Sequence, residues 1–368
     1  MKVRLGDVCD KASSSIIQKS LEGHEGKYPI YGASGLIKYV DFYQREKPYI
    51  AVVKDGAGIG RVMKLPAYSS VIGTMQYIIP NEKVDINYLV YSMEYMNLAK
   101  YFSGATIPHI YFRDYQKEPL NLPEIKVQKK IGGILSNIEK LIAFRNQELS
   151  KFDQLVKSRF IELFGDPVSN DKSWNLAILQ DVTSKIGSGA TPKGGKSSYQ
   201  KEGIPFIRSM NVHDGVFLSK DLAYLSDKQA KQLENVIVKE NDVLLNITGA
   251  SVARSCIVPK TVIPARVNQH VSIIRCIPKY LNPEFLNKLF LHHRYKNLLL
   301  SLGEAGGATR QAITKSQLEK LQIILPPLTL QNEFADFVQQ VDKSKLAVQK
   351  SLEKLEILKK SLMQQYFG

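Results

Sequence analysis

The chain has 368 residues, of which 44% are hydrophobic and 23% are charged; these globular values exclude a disordered chain and leave room for two domains. The net charge of +15 favours a polyanionic partner, with nucleic acid ahead of a membrane surface because no basic amphipathic helix stands out. No apolar run reaches the ~18 residues of a membrane helix, no signal-peptide core is present and the cysteines form no CxxC pair, so we expect a cytoplasmic protein without a membrane partner.

Short strand-like runs separated by Gly, Ser and Asn open the chain and predict a compact mixed sheet. The predicted elements are strands at 29–31, 49–53 and 71–79, a glycine-rich loop at 54–61, helices at about 86–102 and 111–116, and a strand at 119–122. Together they predict one globular domain.

A heptad pattern of apolar residues then predicts a coiled-coil helix, because its steps alternate between three and four residues. The same pattern returns near the end of the chain. Its seam residues are Ile131, Leu135, Ile138, Ile142, Leu149, Phe152 and Val156 in the first stretch, and Phe334, Val338, Val341, Val348, Leu352, Leu355 and Leu362 in the second. Leu122 matches Leu325 and Gln128 matches Gln331 at one offset of 203 positions, and both stretches end in Phe-Gly. The chain is therefore predicted to be a tandem duplication.

The elements of the first domain recur in the same order in the second half of the chain. The equivalents are strands at 204–207, 242–247 and 271–277, a glycine loop at 249–254, and a helix that Asn282 caps and Pro283 begins. The loops between these landmarks differ between the copies. Divergent loops on a duplicated scaffold indicate two different ligands.

These patterns predict an α+β fold, in which a mixed α/β globular domain followed by a long helix is duplicated in tandem and the two helices pair as an antiparallel coiled coil. The predicted boundaries are a first globular domain at 1–120, a central coiled-coil helix at 121–165, a linker at 166–173, a second globular domain at 174–322 and a C-terminal coiled-coil helix at 323–368. Charged seam positions can set the register and orientation of such a pair. They are Arg145, Arg159, Lys345 and Lys359.

Two stretches that resemble enzyme motifs fail on their spacing. Residues 189–197 resemble a phosphate-binding loop, but Ala190 stands where the first glycine belongs and Pro192 removes a backbone amide. Residues 282–285 resemble the Asn-Pro-Pro-aromatic motif of amino-methyltransferases, but Glu284 replaces the second proline, and no cofactor loop opening a doubly wound sheet is visible. No nuclease carboxylate set and no zinc spacing is visible either, so we predict no catalytic residue, no metal and no cofactor.

Basic and amide side chains in the glycine-rich loops are the candidates for DNA contact. They are Lys54, Arg61, Lys193, Lys196, Arg208, Arg254, Asn268, Gln269 and Arg310. The Lys and Arg side chains suit phosphates, whereas Asn268 and Gln269 suit the edge of adenine. The alternative for each residue is an ordinary solvated loop position.

Several short motifs of the sequence resemble the specificity subunit of type I restriction–modification systems. They are Gly-Ala-Thr-Pro at 189–192, Ile-Pro-Phe-Ile-Arg at 204–208, Ile-Thr-Gly-Ala-Ser at 247–251, and Leu-Pro-Pro at 325–327 followed by Gln331. The first copy departs from this pattern, because Glu124 replaces the second proline and the Gly-Ala-Thr-Pro motif is missing.

The resemblance implies two target-recognition domains, each reading one half of an interrupted double-stranded DNA target, and helices that space them and dock methyltransferase subunits. It implies a non-catalytic specificity subunit. Its implied partners are DNA, two methyltransferase subunits that use S-adenosylmethionine on adenine, and a motor subunit that is the endonuclease.

Two other functions stay open at the level of the sequence. A standalone DNA methyltransferase or restriction enzyme with a fused recognition domain needs a cofactor loop, and binding of labelled S-adenosylmethionine discriminates it. A structural coiled-coil protein needs neither the charge of +15 nor duplicated sheets. A salt-dependent shift of DNA by the purified chain would distinguish a DNA-binding protein from such a structural protein.

Overall fold

The computed structural model describes residues 1–104, 108–304 and 311–368. The described residues form two compact units, the first made of Met1–Glu148 with Val348–Gly368 and the second of Leu149–Ala347. Each unit contains one globular domain and one segment of each of two long helices. The long helices therefore do not form a compact body of their own.

A four-stranded antiparallel sheet forms the centre of the first unit. The strands of this unit are β1 (Lys2–Arg4), β2 (Cys9–Ser13), β3 (Tyr28–Gly32), β4 (Gly35–Val40), β5 (Tyr49–Val53), β6 (Val62–Leu65), β7 (Ser70–Val71), β8 (Met75–Pro80) and β9 (Pro119–Asn121). The central sheet has the order β2-β8-β5-β6, a second sheet has the order β4-β3-β7, and β1 pairs with β9. All of β5 is buried because both of its faces are covered: Ile50 packs with Leu89, and Ala51 packs with Val71.

Among the described residues, three α-helices begin in the first unit. They are α1 (Ile86–Tyr95), α2 (Phe112–Tyr115) and α3 (Ile125–Phe164). Asp85 caps α1, because its carboxylate accepts the amides of Asn87 and Tyr88 at 3.0 and 3.1 Å. The helix predicted at 86–102 ends early: Asn97 adopts a left-handed conformation with φ of 50°, and only a 3-10 turn follows it.

The strand predicted at 71–79 is in fact two strands that belong to two sheets. β7 pairs in parallel with β3, whereas β8 pairs with β2 and β5. The chain turns between them, where the amide of Met75 donates to the carbonyl of Ile72 at 3.0 Å. The turn is hidden in the sequence because the residues on both sides of it are buried and apolar.

The second unit repeats this topology. Its strands are β10 (Leu176–Ile178), β11 (Thr183–Ser188), β12 (Ile204–Ile207), β13 (Val212–His213), β14 (Val216–Phe217), β15 (Ala223–Leu225), β16 (Ile237–Val238), β17 (Val243–Asn246), β18 (Ser255–Ile257), β19 (Ala265–Val267), β20 (Val271–Cys276) and β21 (Gln322–Ile324). The sheet order β11-β20-β17-β18 corresponds to β2-β8-β5-β6, and β10 pairs with β21 as β1 does with β9. β12 pairs in parallel with β19, as β3 does with β7. The predicted duplication is confirmed.

Five α-helices begin in the part of the second unit that the structure describes. They are α4 (Asp227–Lys231), α5 (Pro283–Leu291), α6 (His293–Glu304), α7 (Lys315–Glu319) and α8 (Leu328–Phe367). As predicted, Asn282 caps α5: its side-chain oxygen accepts the amides of Glu284 and Phe285 at 2.8 and 3.4 Å. Phe285 is buried and packs against Phe164 of α3 at a ring distance of 4.8 Å.

Segments of α3 and α8 lie side by side and antiparallel in the second unit. The Lys345 ammonium is 2.7 Å from the Asp153 carboxylate, and the rings of Phe334 and Phe164 are 5.4 Å apart. The two helices are antiparallel, because the later residue on α3, Phe164, contacts the earlier residue on α8, Phe334. The predicted antiparallel pairing of the two helices is therefore confirmed.

The apolar seam of the two long helices is shielded from solvent. Two of its four charged residues form ion pairs between the helices. The predicted seam residues of both helices are all buried or half-buried. In the first unit Lys359 of α8 bonds to Glu139 of α3, and in the second unit Lys345 pairs as described. Arg145 and Arg159 pair instead with glutamates three residues further along α3.

Each long helix has 40 residues, which corresponds to about 60 Å at a rise of ~1.5 Å per residue. Over the described ranges, no helix is both long and apolar enough to cross a membrane.

Candidate nucleic-acid interface

The glycine-rich loop of the first unit has a fixed shape. It follows β5, and the amide of Gly60 donates back to the carbonyl of Val53 at 2.8 Å. Gly60 has φ of 79°, and a side chain there would meet the backbone nitrogen of Ala99 at 2.4 Å, so the position requires glycine. The loop is also held from outside, because the amide of Gly56 donates to the carbonyl of Pro108 at 3.0 Å.

Lys54 and Arg61 stand at the two ends of this loop. The Lys54 ammonium is 3.3 Å from the Asp55 carboxylate, which is also bonded to His109 at 2.6 Å. The Arg61 guanidinium donates to the carbonyl of Ala33 at 2.7 Å. Both predicted contacts of the first unit therefore lie at the end of the sheet where β5 finishes.

The second unit holds its own glycine loop in the same way. The amide of Gly249 donates to the carbonyl of Gln311 at 2.9 Å, and Gln311 stands 203 positions after Pro108. The carbonyl of Arg254 accepts the amide of Asn246 at 2.8 Å, where the loop returns to β18. Arg254 is half-buried there.

A second group of loops meets in the second unit. The amide of Gly189 donates to the carbonyl of Asn268 at 3.1 Å, and a side chain at Gly189 would lie 1.7 Å from the carbonyl oxygen of Val267. The hydroxyl of Thr191 bonds to the side chain of Gln269. The glycine and threonine of the Gly-Ala-Thr-Pro motif thus dock this loop onto the turn after β19.

Asn268 is not placed as predicted. It is only 6% exposed, and its side-chain oxygen accepts the amide of His270 at 3.1 Å. It therefore shapes the turn and is not presented to a base, whereas the neighbouring Gln269 is exposed. The sequence shows an amide side chain at both positions but not which of them the turn buries.

The remaining predicted contacts lie on other loops of the second unit. Lys193 and Lys196 are exposed on the loop that continues from Gly189. Arg208 follows β12, and its guanidinium lies 5.6 Å from the centre of the Tyr199 ring. Arg310 lies outside the described residues.

The loop at 189–197 does not form a phosphate cradle. Two of the amides that such a cradle needs are occupied, because Gly189 donates to Asn268 and Gly195 donates to the carbonyl of Pro192 at 3.1 Å. In residues 1–104, 108–304 and 311–368, no cluster of three or more His, Cys, Asp or Glu side chains could hold a metal ion.

Burial shifts the pKa values of the three cysteines and of one histidine. Burial raises the pKa of Cys9, Cys256 and Cys276 to about 12, so these thiols are protonated and unreactive at neutral pH. Burial also lowers the pKa of His292, whose ring stacks on Phe160 at 5.8 Å. Both effects are those of a packed core.

The first unit contains a stack of three side chains that the sequence analysis did not predict. The rings of His109 and Tyr111 are stacked with centres 6.4 Å apart, and the Arg113 guanidinium lies 4.8 Å from the centre of the Tyr111 ring. The sequence pattern predicts a short polar helix at 111–116 and does not indicate that these three side chains stack on one another. A comparison of the two copies could have singled them out, because the positions 203 residues later carry none of these three residue types.

The family model for the type I restriction modification DNA specificity domain matches residues 1–152 and 171–358. Among curated proteins, the chain is 24% identical to the type I restriction enzyme MjaVIII specificity subunit of Methanocaldococcus jannaschii, with 98% of this chain and 90% of that protein covered. It is 22% identical to the type I restriction enzyme EcoBI specificity subunit of Escherichia coli, with 72% of this chain and 61% of that protein covered.

Solved structures show the same fold. The chain superposes on the S subunit of a type I restriction-modification system from M. genitalium with a TM-score of 0.70 at 14% identity, covering 100% of this chain and 96% of that one. A chain from a study of complex assembly and conformational transition of the type I R-M system gives a TM-score of 0.56 at 18% identity, covering 100% of this chain and 97% of that one.

Proposed function

The chain belongs to the type I restriction–modification DNA specificity family, and from this premise we propose that each of its two globular domains reads one half of an interrupted double-stranded DNA target. The chain is the specificity subunit of such a system. Its own part is recognition, and the methylation and cleavage chemistry resides in its partners. The alternative of a standalone methyltransferase or restriction enzyme is not favoured, because curated relatives matched over most of their length are specificity subunits.

One observation carries this proposal: the same backbone scaffold supports different loop side chains in the two units. The bond from Gly56 to Pro108 recurs as the bond from Gly249 to Gln311. The side chains presented beside these bonds differ, with His109 in one unit and Ala312 in the other. A duplicated frame with divergent loops suits a protein that reads two dissimilar half-sites.

The proposed DNA contacts are basic and amide side chains of the loops described above, together with Arg310, which lies outside the described residues. They are Lys54, Arg61, Lys193, Lys196, Arg208, Arg254, Gln269 and Arg310. Lys and Arg contribute phosphate binding that weakens with salt, and Gln269 is the candidate for an adenine edge. Asn268 acts through the turn that positions Gln269.

The proposed division of labour follows the predicted boundaries. Residues 1–120 and 174–322 are the target-recognition domains, 166–173 is a linker, and the helical regions at 121–165 and 323–368 set the number of unread bases between the half-sites.

The helices also offer a surface for the methyltransferase subunits. Apolar side chains outside the seam remain exposed on both helices: Leu141, Phe144, Leu155 and Ile161 on α3, and Leu346, Ile357 and Leu358 on α8. Exposed apolar residues concentrated on one element mark an interaction site. We assign these exposed side chains, in each unit separately, to contacts with the two methyltransferase subunits, with the motor subunit joining that assembly.

This assignment requires no cofactor on the chain itself, since S-adenosylmethionine belongs to the methyltransferase subunits. The cysteines Cys9, Cys256 and Cys276 are all free, which supports a location in the reducing cytoplasm.

The test is reconstitution with the cognate methyltransferase. The purified chain alone is expected to shift DNA in a salt-dependent manner and to transfer no methyl group from labelled S-adenosylmethionine. Addition of the methyltransferase subunits is expected to produce methylation at a gapped sequence. Turnover by the chain alone, or labelled cofactor retained by it, would contradict the proposal.

A further inference from the structure

Three side chains at alternate positions of the first unit form an exposed stack. Tyr111 lies between His109 and Arg113, with the distances of 6.4 and 4.8 Å given above. The exposed fractions are 37% for the His109 side chain, 47% for Tyr111 and 75% for the Arg113 side chain. The stack thus presents an aromatic surface and a guanidinium to solvent.

The stack is anchored to the glycine loop. His109 bonds to the carboxylate of Asp55 at 2.6 Å, and Asp55 follows Lys54 at the start of that loop. The amide of Ile110 donates to the carbonyl of Lys54 at 2.9 Å. The stack and the proposed phosphate contact Lys54 therefore belong to one surface of the first unit.

The second unit keeps the backbone of this site and not its side chains. The amide of Ile313 donates to the carbonyl of Ile247 at 2.8 Å, which is the counterpart of the bond from Ile110. The positions equivalent to the stack are Ala312, Thr314 and Ser316. The scaffold therefore folds without the stack.

Tyr111 occupies a position at which the fold itself favours another residue. It is the cap residue of α2, and its side chain makes no capping hydrogen bond. Its equivalent Thr314 caps α7, because its hydroxyl accepts the amide of Gln317 at 3.2 Å. Tyrosine is a poor cap and threonine a good one. The first unit therefore lacks this capping hydrogen bond and carries an exposed aromatic ring at the same position.

We propose that the stack of His109, Tyr111 and Arg113 is a specificity element of the first domain, in which Arg113 reads a guanine in the half-site of that domain. The inference rests on the proposed function of the domains. Arginine donates two parallel hydrogen bonds to O6 and N7 of guanine, the commonest base contact in the major groove. The Tyr111 ring holds the guanidinium in place, which reduces the conformational freedom lost on binding.

The test uses the full chain with its cognate methyltransferase subunits and the substitutions Arg113→Ser and Tyr111→Thr. Both introduce the residue that the second unit carries at the equivalent position, so the backbone is expected to fold as before. Methylated adenines are then mapped genome-wide. The expected result for Arg113→Ser is a roughly tenfold loss of preference for guanine at one position of one half-site, with the other half-site unchanged. Tyr111→Thr is expected to weaken the same position to a smaller extent.

Matched controls come from the opposite end of the domain. Lys47→Ser removes an exposed cation before the start of β5, and Tyr39→Ala removes a tyrosine that is 52% exposed. Both are expected to leave the target sequence unchanged.

Two outcomes would overturn the inference. One is an unchanged target for both stack variants. The other is uniform weakening of methylation with an unchanged base preference at every position of the target, which identifies Arg113 as a phosphate contact. If the unaltered chain directs methylation to no gapped sequence, the proposed function itself fails, and the two failures are thereby distinguished.

Discussion

Gln128 and Gln331 make the same three hydrogen bonds in the two units. In the second unit, the Gln331 side-chain oxygen accepts the amide of Asn282 at 2.9 Å, and its nitrogen donates to the carbonyls of Tyr280 and Pro326 at 3.2 and 2.8 Å. In the first unit, Gln128 makes the equivalent bonds at 2.9, 3.1 and 2.8 Å. Each glutamine is buried and ties the start of a long helix to the globular domain beside it.

Replacement of Gln331 with Ala should therefore destabilise the second unit. The change leaves buried backbone groups without partners, at a cost of about 1–3 kcal/mol each when water does not replace the side chain, so we expect a loss of about 3 kcal/mol in the free energy of unfolding. Urea unfolding measures it. Gln349→Ala, at an exposed position of the same helix, is the control and should change the value by less than about 0.5 kcal/mol. Equal effects of the two variants would contradict the role of Gln331.

The contact between Lys359 and its two carboxylates predicts a pH-dependent effect. Burial raises the pKa of Glu94, and Lys359 at 3.5 Å limits that rise. In Lys359→Met the cation is gone, so the pKa of Glu94 should rise further and its carboxylate should hold a proton more readily in the folded than in the unfolded state. Stability then rises as pH falls toward the unfolded pKa of ~4.3.

The stability loss of Lys359→Met should accordingly be about 1–2 kcal/mol at pH 8 and smaller at pH 5, less than for a fully buried pair because a quarter of the Lys359 side chain is exposed. Urea unfolding at the two pH values measures it. As a control for the loss of a cation, Arg145→Met removes an ion pair within α3 and should cost only about 0.3–0.5 kcal/mol. A loss that is the same at pH 8 and pH 5 would show that the Glu94 carboxylate does not respond to Lys359.

Substitutions in the buried seam of the paired helices should have different effects from substitutions on their exposed surface. Leu352 is 6% exposed, so Leu352→Asp buries a charge without a partner and should cost several kcal/mol, seen as insolubility or loss of assembly. Ile357 is 69% exposed, so Ile357→Asp should fold normally but bind the methyltransferase subunits more weakly in a pull-down. If Ile357→Asp assembles as well as the unaltered chain, the docking surface lies elsewhere.

The loop that carries Lys193 and Lys196 predicts a change in salt dependence. Replacement of both residues with Ala should lower the slope of log affinity against log salt by about 1.8, since each lost phosphate contact contributes ~0.9. Fluorescence anisotropy with labelled target DNA over a salt series measures the slope. The double variant Lys228→Ala and Lys231→Ala, at exposed positions of α4, is the matched control. An unchanged slope for the Lys193 and Lys196 variant would remove this loop from the interface.

The periodicity of apolar residues in this sequence predicts much of the fold, but it predicts little about which side chains the candidate site exposes. The heptad steps predict the buried seam, because side chains three and four residues apart share one helix face. The stretch at 71–79 contains a turn between two sheets that the sequence does not reveal, because apolar residues that become buried stand on both sides of it, such as Ile72 before and Met75 after. At the site, two adjacent amides look equivalent in the sequence, yet the turn buries Asn268 and exposes Gln269. Only tertiary contacts distinguish such cases.

The duplication predicts that residues 1–167 form a two-fold dimer. In the first unit Phe367 packs against Tyr88 at 5.3 Å, and in the second unit its equivalent Phe164 packs against Phe285 at 4.8 Å. A truncated chain lacks Phe367, so Phe164 of one copy is expected to take that place in its twin and cover the exposed seam. Light scattering should show a dimer, and a stable monomer would contradict this arrangement.

The most direct measurement maps methylated adenines genome-wide in cells that make the cognate methyltransferase subunits with either the full chain or residues 1–167. The full chain should direct methylation to two dissimilar half-sites separated by a fixed number of unread bases. Residues 1–167 should direct it to a gapped palindrome that repeats one of those half-sites with nearly the same gap, because helix length sets the spacing. One uninterrupted target for the full chain, or a truncated form whose target shares neither half, would contradict the claim that each domain reads its own half-site.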